Sequence, residues 1–219
     1  MPKALTKKIL KHTYLYHLVK LILNHIMILK WNMNGRPVPP PHLVKQRVLK
    51  TFSRRFKVKV LVETGTYYGD MVAAMMRTFD HIYTIELSEK LYEQARKRFA
   101  GEKKITLIHG DSGKELNSLL ERIDQPALFW LDGHYSGGET ARGDKDSPIY
   151  EELAHILNSP EKRHIVIIDD ARCFGTDQAY PSIEEIAEFV KAKRPDSIIA
   201  VKDDIIRIIP YEQDDKNDV

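Results

Sequence analysis

Hydrophobic positions over most of the chain show two alternating patterns, short continuous runs typical of strands and longer segments with helical periodicity. From residue 58 onward, short β-branched runs alternate with longer segments of helical periodicity, which predicts parallel strands joined by crossover helices. The predicted strands lie near 58–62, 81–86, 104–108, 127–131 and 164–168. The predicted helices occupy 69–79, 88–100, 113–122, 148–158 and 182–193. Each crossover is expected to be right-handed.

The last two apolar runs break this alternation. Residues 197–201 and 205–209 are separated by only three residues, Lys202, Asp203 and Asp204, which is too short for a crossover helix. They are therefore expected to form an antiparallel hairpin. The predicted fold class is α/β with a Rossmann-like sheet, in which five parallel strands and a C-terminal antiparallel hairpin are covered by helices on both faces.

A different apolar pattern precedes this region. Residues 14–29 are apolar apart from a narrow polar strip of His17, Lys20 and Asn24 at helical spacing. A helix of that length measures about 24 Å, shorter than a bilayer core of about 30 Å, so a spanning helix is rejected. Two interpretations stay open: a helix packed on the catalytic domain or across a homodimer interface, and a helix lying on a membrane surface.

Charge is distributed unevenly along the chain. Residues 1–59 carry 14 Lys or Arg and no Asp or Glu, whereas the remainder carries 20 basic and 31 acidic residues. Such a basic arm is attracted to anionic lipid, to nucleic acid, or to the acidic surface of the same protein. Nucleic acid ranks last among these partners because there is no aromatic-rich RNA motif or zinc-finger spacing. A single cysteine and the lack of a signal-peptide pattern lead us to expect a cytoplasmic protein, and the basic N-terminal helix leaves peripheral contact with a membrane open.

The chain is expected to divide into four segments around one catalytic domain. Residues 1–35 form a basic amphipathic helical segment, and 36–57 form a Pro-rich linker with a lead-in helix. Residues 58–211 form the catalytic domain, and 212–219 an acidic tail.

A glycine-containing turn follows the first predicted strand. In Glu63-Thr-Gly-Thr-Tyr-Tyr-Gly69, the glycines Gly65 and Gly69 allow a backbone to approach a ligand closely, and Thr66 lies between them. Tyr67 occupies the position where a dinucleotide-binding turn has its second glycine, so a pyrophosphate is not the expected ligand.

Polar residues also end the next two strands. Glu86 closes the second, where a carboxylate can accept hydrogen bonds from two ribose hydroxyls. Asp111 and Ser112 close the third, within reach of an adenine amino group. The alternative for each is the N-cap of the following helix, a role that Ser88 and Ser112 would satisfy.

These motifs resemble those of class I methyltransferases that use S-adenosylmethionine (SAM). The resemblance covers roughly residues 58–209, and the nearest similarity is to macrocin-type O-methyltransferases and their cephalosporin-hydroxylase-like relatives. It implies a methyltransferase sheet ending in a hairpin. It also implies SAM contacts from Glu63, Gly65, Thr66, Gly69, Glu86, Asp111, Ser112 and Asp132. The sequence departs from those relatives after Asp132, where Gly-His-Tyr replaces a frequent second acid.

Acidic residues end the fourth and fifth strands as well. Asp132 follows the fourth, and Asp169 and Asp170 follow the fifth, so three carboxylates are expected to converge at one edge of the sheet. Their mutual repulsion would be relieved by a hard cation such as Mg²⁺ or Mn²⁺, and the resemblance implies a metal at the same positions. The alternative is that Asp169 or Asp170 caps a turn and binds Arg172.

Two candidate bases lie in this region. Asp132 and His134 could accept the proton of an acceptor hydroxyl. The glycine-rich segment 133–146 is interpreted as a lid, with Arg142 available to an anionic substrate, or alternatively as a surface loop.

The leading hypothesis is therefore metal-assisted methylation of a small or saccharide-like hydroxyl acceptor. Two alternatives remain. One is a non-catalytic SAM-fold binding module recruited through the N-terminal helix, and the other is a metal-dependent hydroxylase or hydrolase on the same fold.

Overall fold

The computed structural model describes residues 14–132, 148–176 and 180–211. The helices are α1 (Tyr14–Met33), α2 (His42–Arg55), α3 (Asp70–Met75), α4 (Glu89–Arg98), α5 (Ser112–Leu120), α6 (Ile149–Asn158) and α7 (Ile183–Lys193), with a short 3₁₀ helix at Ala171–Cys173. The strands are β1 (Val60–Thr64), β2 (His81–Glu86), β3 (Ile105–His109), β4 (Ala127–Leu131), β5 (Ile165–Ile168), β6 (Ile198–Lys202) and β7 (Ile205–Ile209).

The strands form one sheet in the order β3-β2-β1-β4-β5-β7-β6. Strands β1 to β5 are parallel, whereas β7 runs antiparallel to both β5 and β6. The predicted parallel sheet with a terminal hairpin is thereby confirmed. The hairpin turns through Asp203 and Asp204, whose φ angles of 57° and 63° suit the tight two-residue turn that matches strand twist.

The first strand lies two residues later than the sequence pattern predicts. It spans Val60–Thr64 instead of 58–62, and all five of its residues are buried. Because of this shift, Glu63 belongs to the strand and not to the turn after it.

The core consists of two apolar layers on opposite faces of the sheet. Along β1, Val60 and Val62 point into one layer and Leu61 into the other, as the alternation of a strand requires. Helices α5, α6 and α7 cover the first layer, and α2, α3 and α4 cover the second. With both faces occupied, the strand ends are the part of the sheet that remains available for a site.

The N-terminal helices meet through a small contact. Ile28 and Trp31 of α1 pack against Val44 of α2, and the Trp31 indole donates a hydrogen bond to the Pro37 carbonyl at 2.8 Å. Arg36 then pairs with Asp203 of the hairpin turn at 2.5 Å. No helix in the described ranges combines the length and apolar character that a membrane span needs.

Candidate active site at the carboxyl edge of the sheet

Backbone hydrogen bonds continue past the ends of the central strands. The Gly65 amide donates to the Ile85 carbonyl at 3.0 Å, the Asp132 amide to Thr64 at 3.1 Å, and the Asp169 amide to Leu131 at 3.0 Å. The loops after β1, β4 and β5 therefore begin side by side. Residues far apart in sequence are brought together along one edge.

The loop after β1 has a left-handed backbone at three positions. The φ angles are 83° at Gly65, 49° at Tyr67 and 74° at Gly69. A Cβ atom on Gly69 would lie 2.6 Å from a ring carbon of Phe99, so this position requires glycine for space as well as for conformation. The tight turn leads directly into α3.

Glu86 fastens this loop to the end of β2. Its Oε2 accepts a hydrogen bond from the Tyr67 amide at 2.8 Å, and its Oε1 accepts one from the Ser88 amide at 2.9 Å. The side chain is 5% exposed, and burial raises its pKa although the backbone donors act in the opposite direction. Since each carboxylate oxygen can accept a second hydrogen bond, Glu86 retains capacity for a ligand's hydroxyl groups.

Glu63 lies beneath the loop in a buried polar network. Its Oε2 accepts a hydrogen bond from the Thr84 hydroxyl at 2.7 Å, and the hydroxyls of Thr84 and Thr66 are 2.6 Å apart. Burial raises the pKa of Glu63 to about 8, with Asp132 and Glu86 adding to the effect. Thr84 was not singled out from the sequence, because a threonine inside an apolar strand is an ordinary strand residue.

The capping prediction was correct for α4 and wrong for α5. Ser88 caps α4, accepting the Leu91 amide at 3.4 Å. In α5 the cap is Asp111, which accepts the Gly113 amide at 3.0 Å, while Ser112 is the first helical residue. The extended backbone of Asp111, with φ −78° and ψ 121°, suits the cap position. An adenine contact from Asp111 stays a prediction.

Three carboxylates come together at the ends of β4 and β5. Oxygens of Asp132, Asp169 and Asp170 lie within 4.8 Å of one another. Asp169 is 2% exposed, and its Oδ1 has no hydrogen-bond partner among the described residues. All three potential ligands are hard oxygens, so the cluster fits a divalent cation.

A lysine that the sequence reasoning missed already neutralises part of this cluster. The Lys45 ammonium, on α2, contacts Oδ2 of Asp169 and lies 3.5 Å from Oδ1 of Asp170. Burial tends to lower the pKa of Lys45, but the charge and hydrogen bond of Asp169 outweigh it and raise the pKa. One signal was available: Lys45 precedes Leu49 and Phe52 by one and two helical turns, on the apolar face of α2.

Arg172 is the second cation at the cluster. Its guanidinium binds Oδ1 of Asp170 at 2.7 Å, so the contact proposed as an alternative to a metal site is present together with the converging carboxylates. Arg172 also binds Asp204 of the hairpin turn through its side chain and, at 2.8 Å, through its amide. The hairpin therefore positions the loop in which Asp170 adopts a left-handed φ of 57°.

The remaining predicted elements of the site fall outside the described residues. These are His134, Arg142 and the segment 133–146, so their positions relative to the cluster stay predictions.

The strand order and the helical layers on both faces are those of a Rossmann-like α/β fold. Two solved O-methyltransferases share this fold at low sequence identity. TomG of Streptomyces achromogenes, an O-methyltransferase of tomaymycin synthesis in complex with SAM, matches with a TM-score of 0.54 and 17% identity over 83% of this chain and 86% of that one. A Bacillus cereus O-methyltransferase in complex with SAH, S-adenosylhomocysteine, matches with a TM-score of 0.53 and 15% identity over 84% and 89%.

One protein with a related sequence is also named as an O-methyltransferase. The chain is 27% identical over 141 residues to the protein-L-isoaspartate O-methyltransferase of Ignicoccus hospitalis, which corresponds to 58% of this chain and 65% of that enzyme. The match thus spans just under two thirds of the relative's length. No protein-family model matches the chain.

Proposed function

We propose that this protein is a SAM-dependent O-methyltransferase whose acceptor is a small or saccharide-like hydroxyl compound. The observation that carries the proposal is the arrangement on one sheet edge of Glu86 beside the glycine turn and the carboxylate cluster two strands away. The nucleoside of the donor would then bind beside Glu86, and the acceptor would bind at the carboxylate cluster. SAM-bound and SAH-bound relatives with the same fold support the choice of donor.

On the donor side, the chain supplies a rigid, closely approachable backbone. Gly65 and Gly69 give the turn its left-handed backbone, and hydrogen bonds from the amides of Tyr67 and Ser88 fix the Glu86 carboxylate in position. We propose that Glu86 accepts hydrogen bonds from the ribose hydroxyls. Bound SAM supplies a methyl sulfonium, and the residues around it need only hold that group in line with the acceptor.

On the acceptor side, Asp132, Asp169 and Asp170 would hold a divalent cation together with the substrate hydroxyl. Such a cation, Mg²⁺ or Mn²⁺, would lower the pKa of the acceptor hydroxyl. The Oδ1 atom of Asp169, buried and without a hydrogen bond in the described structure, supports this assignment. Arg172 provides positive charge at Asp170 and would remain beside the cation, whereas the Lys45 ammonium contacts Asp169 and would have to withdraw from it.

The reaction transfers one methyl group and releases one proton. The carbon–sulfur bond of the sulfonium breaks, the acceptor oxygen forms a bond to that carbon, and a neutral thioether leaves. The hydroxyl proton passes to a base, for which Asp132 is one candidate and His134, beyond the described residues, is the other.

The hydrogen-bonding capacity of the carboxylate cluster favours a hydroxyl acceptor over a carboxylate. The Ignicoccus relative is named for an isoaspartate, whose methylated group is a carboxylate. An ionised carboxylate has no proton to donate to Asp132, Asp169 or Asp170, whereas a hydroxyl can donate a hydrogen bond to them.

Methyl transfer can be tested directly with SAM carrying a labelled methyl group. The full chain is incubated with hydroxylated acceptors such as sugars and catechols, and SAH formation and label transfer are followed with and without Mg²⁺. The Glu86→Gln variant should bind SAM about 10-fold to 100-fold more weakly, because it loses charged hydrogen bonds. The matched control is Glu89→Gln, which changes an exposed residue of the neighbouring helix by the same chemistry.

Each alternative predicts a different result. A non-catalytic module would bind SAM and form no methylated product with any acceptor. A hydroxylase or hydrolase would convert substrate without producing SAH. Equal SAM affinity in the Glu86→Gln and Glu89→Gln proteins would contradict the placement of the nucleoside.

A further inference from the structure

Helix α1 carries a broad apolar face that the rest of the described structure leaves exposed. The side chains on it are 43% to 78% exposed: Val19, Ile22, Leu23, Ile26, Met27, Leu29 and Met33. At 100° per residue these seven positions fall within an arc of about 160°. The buried residues Ile28 and Trp31 lie outside that arc. Lys30, in the last turn of α1, also falls within the arc. Before that turn the face is apolar, and it is distinct from the side that attaches α1 to the protein.

A cationic cavity lies beside the C-terminal half of α2. It has a volume of about 490 Å³ and is lined by Lys50, Ser53, Arg54, Lys57, Lys59, Arg77 and Thr78. All charged side chains in this lining are positive, and two hydroxyl residues complete it. Burial lowers the pKa of Lys50, and the neighbouring charge of Arg54 lowers it further, as expected where cations are held close together. Such a cavity suits an anionic group, since phosphate oxygens accept hydrogen bonds from both ammonium and guanidinium donors.

The spacing of residues along α2 places the contact with α1 and the cationic cavity on the same side of that helix. Leu43 packs against the cluster that joins α1 to α2. Lys50 and Arg54 follow Leu43 by seven and eleven residues, spacings that return to the same stripe of an α-helix. The cavity therefore begins about 10 Å further along the stripe on which α1 is seated.

We propose that α1 and the cavity form one docking surface for an anionic lipid bilayer, with the apolar face entering the acyl boundary and the cavity receiving a lipid phosphate. Hydrocarbon and phosphate occur together at a bilayer surface, and that combination matches the two neighbouring features. The surrounding charge agrees with it, because residues 1–59 contain 14 basic residues and no acidic ones.

The same charge argues against a second copy of this chain as the occupant. A two-fold dimer through α1 would bring identical patches together, and each patch belongs to a segment without a single acidic residue. Two basic segments would then repel each other.

The test is co-sedimentation of the full chain with vesicles of neutral phosphatidylcholine, or of phosphatidylcholine containing about 30 mol% phosphatidylserine. Binding should occur on the anionic vesicles and be much weaker on the neutral ones. Ile26→Glu should reduce the partition coefficient at least about 10-fold, since it places a charge on the apolar face. The Lys50→Gln/Arg54→Gln pair should reduce it about 5-fold for each cation removed.

Two control variants make equivalent changes elsewhere on the surface. Val201→Glu introduces a charge at an apolar residue of edge strand β6 that is 45% exposed, close to the 55% of Ile26. Lys103→Gln/Lys104→Gln removes two exposed cations from the catalytic body. Both should retain vesicle binding.

Several outcomes would overturn the proposal. One is that the folded chain does not bind anionic vesicles. Another is that the control variants lose as much vesicle binding as Ile26→Glu and Lys50→Gln/Arg54→Gln do. A dimer in sedimentation equilibrium that Ile26→Glu dissociates, without vesicle binding, would assign the face to a second copy. Calorimetric binding of inorganic phosphate without vesicle binding would make the cavity a site for a soluble anion.

Discussion

Replacing Lys45 by Met should strengthen binding of a divalent cation at the carboxylate cluster. The Lys45 ammonium contacts Asp169, and the two side chains are 15% and 1% exposed. A divalent cation about 4 Å from that ammonium would be repelled by roughly 8 kcal/mol at an effective dielectric constant near 20. Both cannot occupy the cluster, so the lysine must withdraw when a metal binds.

The gain in metal affinity expected for Lys45→Met follows from the free energy of the Lys45–Asp169 ion pair, which must break when a metal binds to the native protein. Breaking a buried ion pair costs about 3–5 kcal/mol. Part of this cost is offset because the withdrawn ammonium becomes hydrated and because the metal's charge replaces it beside Asp169. A remaining cost of about 1.5–3 kcal/mol in the native protein corresponds to a roughly 10-fold to 150-fold gain in metal affinity for Lys45→Met. The methionine keeps a side chain of similar length against the apolar part of α2.

Electron paramagnetic resonance of Mn²⁺ at pH 8 measures this affinity without requiring turnover. Lys50→Met, on the same helix but outside the cluster, should bind Mn²⁺ as the native protein does, and Asp132→Asn should bind it more weakly. Unchanged affinity in Lys45→Met alongside lost affinity in Asp132→Asn would refute the competition. If none of these proteins binds Mn²⁺, the metal assignment is wrong, whereas methyl transfer from SAM remains a separate measurement.

Three further predictions concern residues around the donor site. Burial raises the pKa of Glu63 to about 8, so the native protein should lose stability relative to Glu63→Gln as the pH rises from about 4.5 to 8. The loss should be at most about 1.4 kcal/mol per pH unit and should level off above pH 8. Urea unfolding of both proteins at pH 5 and pH 8 measures this difference in stability. Asp111→Ala should lower the free energy of unfolding by about 1 kcal/mol through loss of the α5 cap, and urea unfolding that matched the native protein would contradict the assignment of the cap. Gly69→Ala should lower the melting temperature and weaken SAM binding together, because its Cβ would meet the ring of Phe99, and calorimetry showing both unchanged would mean that the turn tolerates a side chain.

Local patterns were sufficient to predict most of the framework. The alternation of apolar runs located the five parallel strands, and the short spacer before Ile205 indicated the hairpin. Acids that directly follow strands were expected at one sheet edge, and Asp132, Asp169 and Asp170 do meet there. These predictions succeed because strand periodicity and the common direction of parallel strands together fix which end of each strand faces the site.

Single-residue details were less accessible from the sequence. Either Asp111 or Ser112 could cap α5, and the backbone conformation selected Asp111. The two-residue shift of β1 moved Glu63 into the sheet, where burial changes its protonation. Neighbouring residues of similar propensity differ too little in free energy for sequence alone to choose between them.

The sequence by itself determined the α/β framework and the acids at the strand ends, whereas the tertiary structure alone decided which charges oppose them. Lys45 reaches Asp169 across 124 positions of chain, and Asp204 of the hairpin fixes Arg172 across 32. Likewise, the apolar character of α1 is a local property, but its exposure depends on what packs against it. Periodicity records the environment of each element separately, while ion pairs and uncovered surfaces arise only when distant elements are packed together.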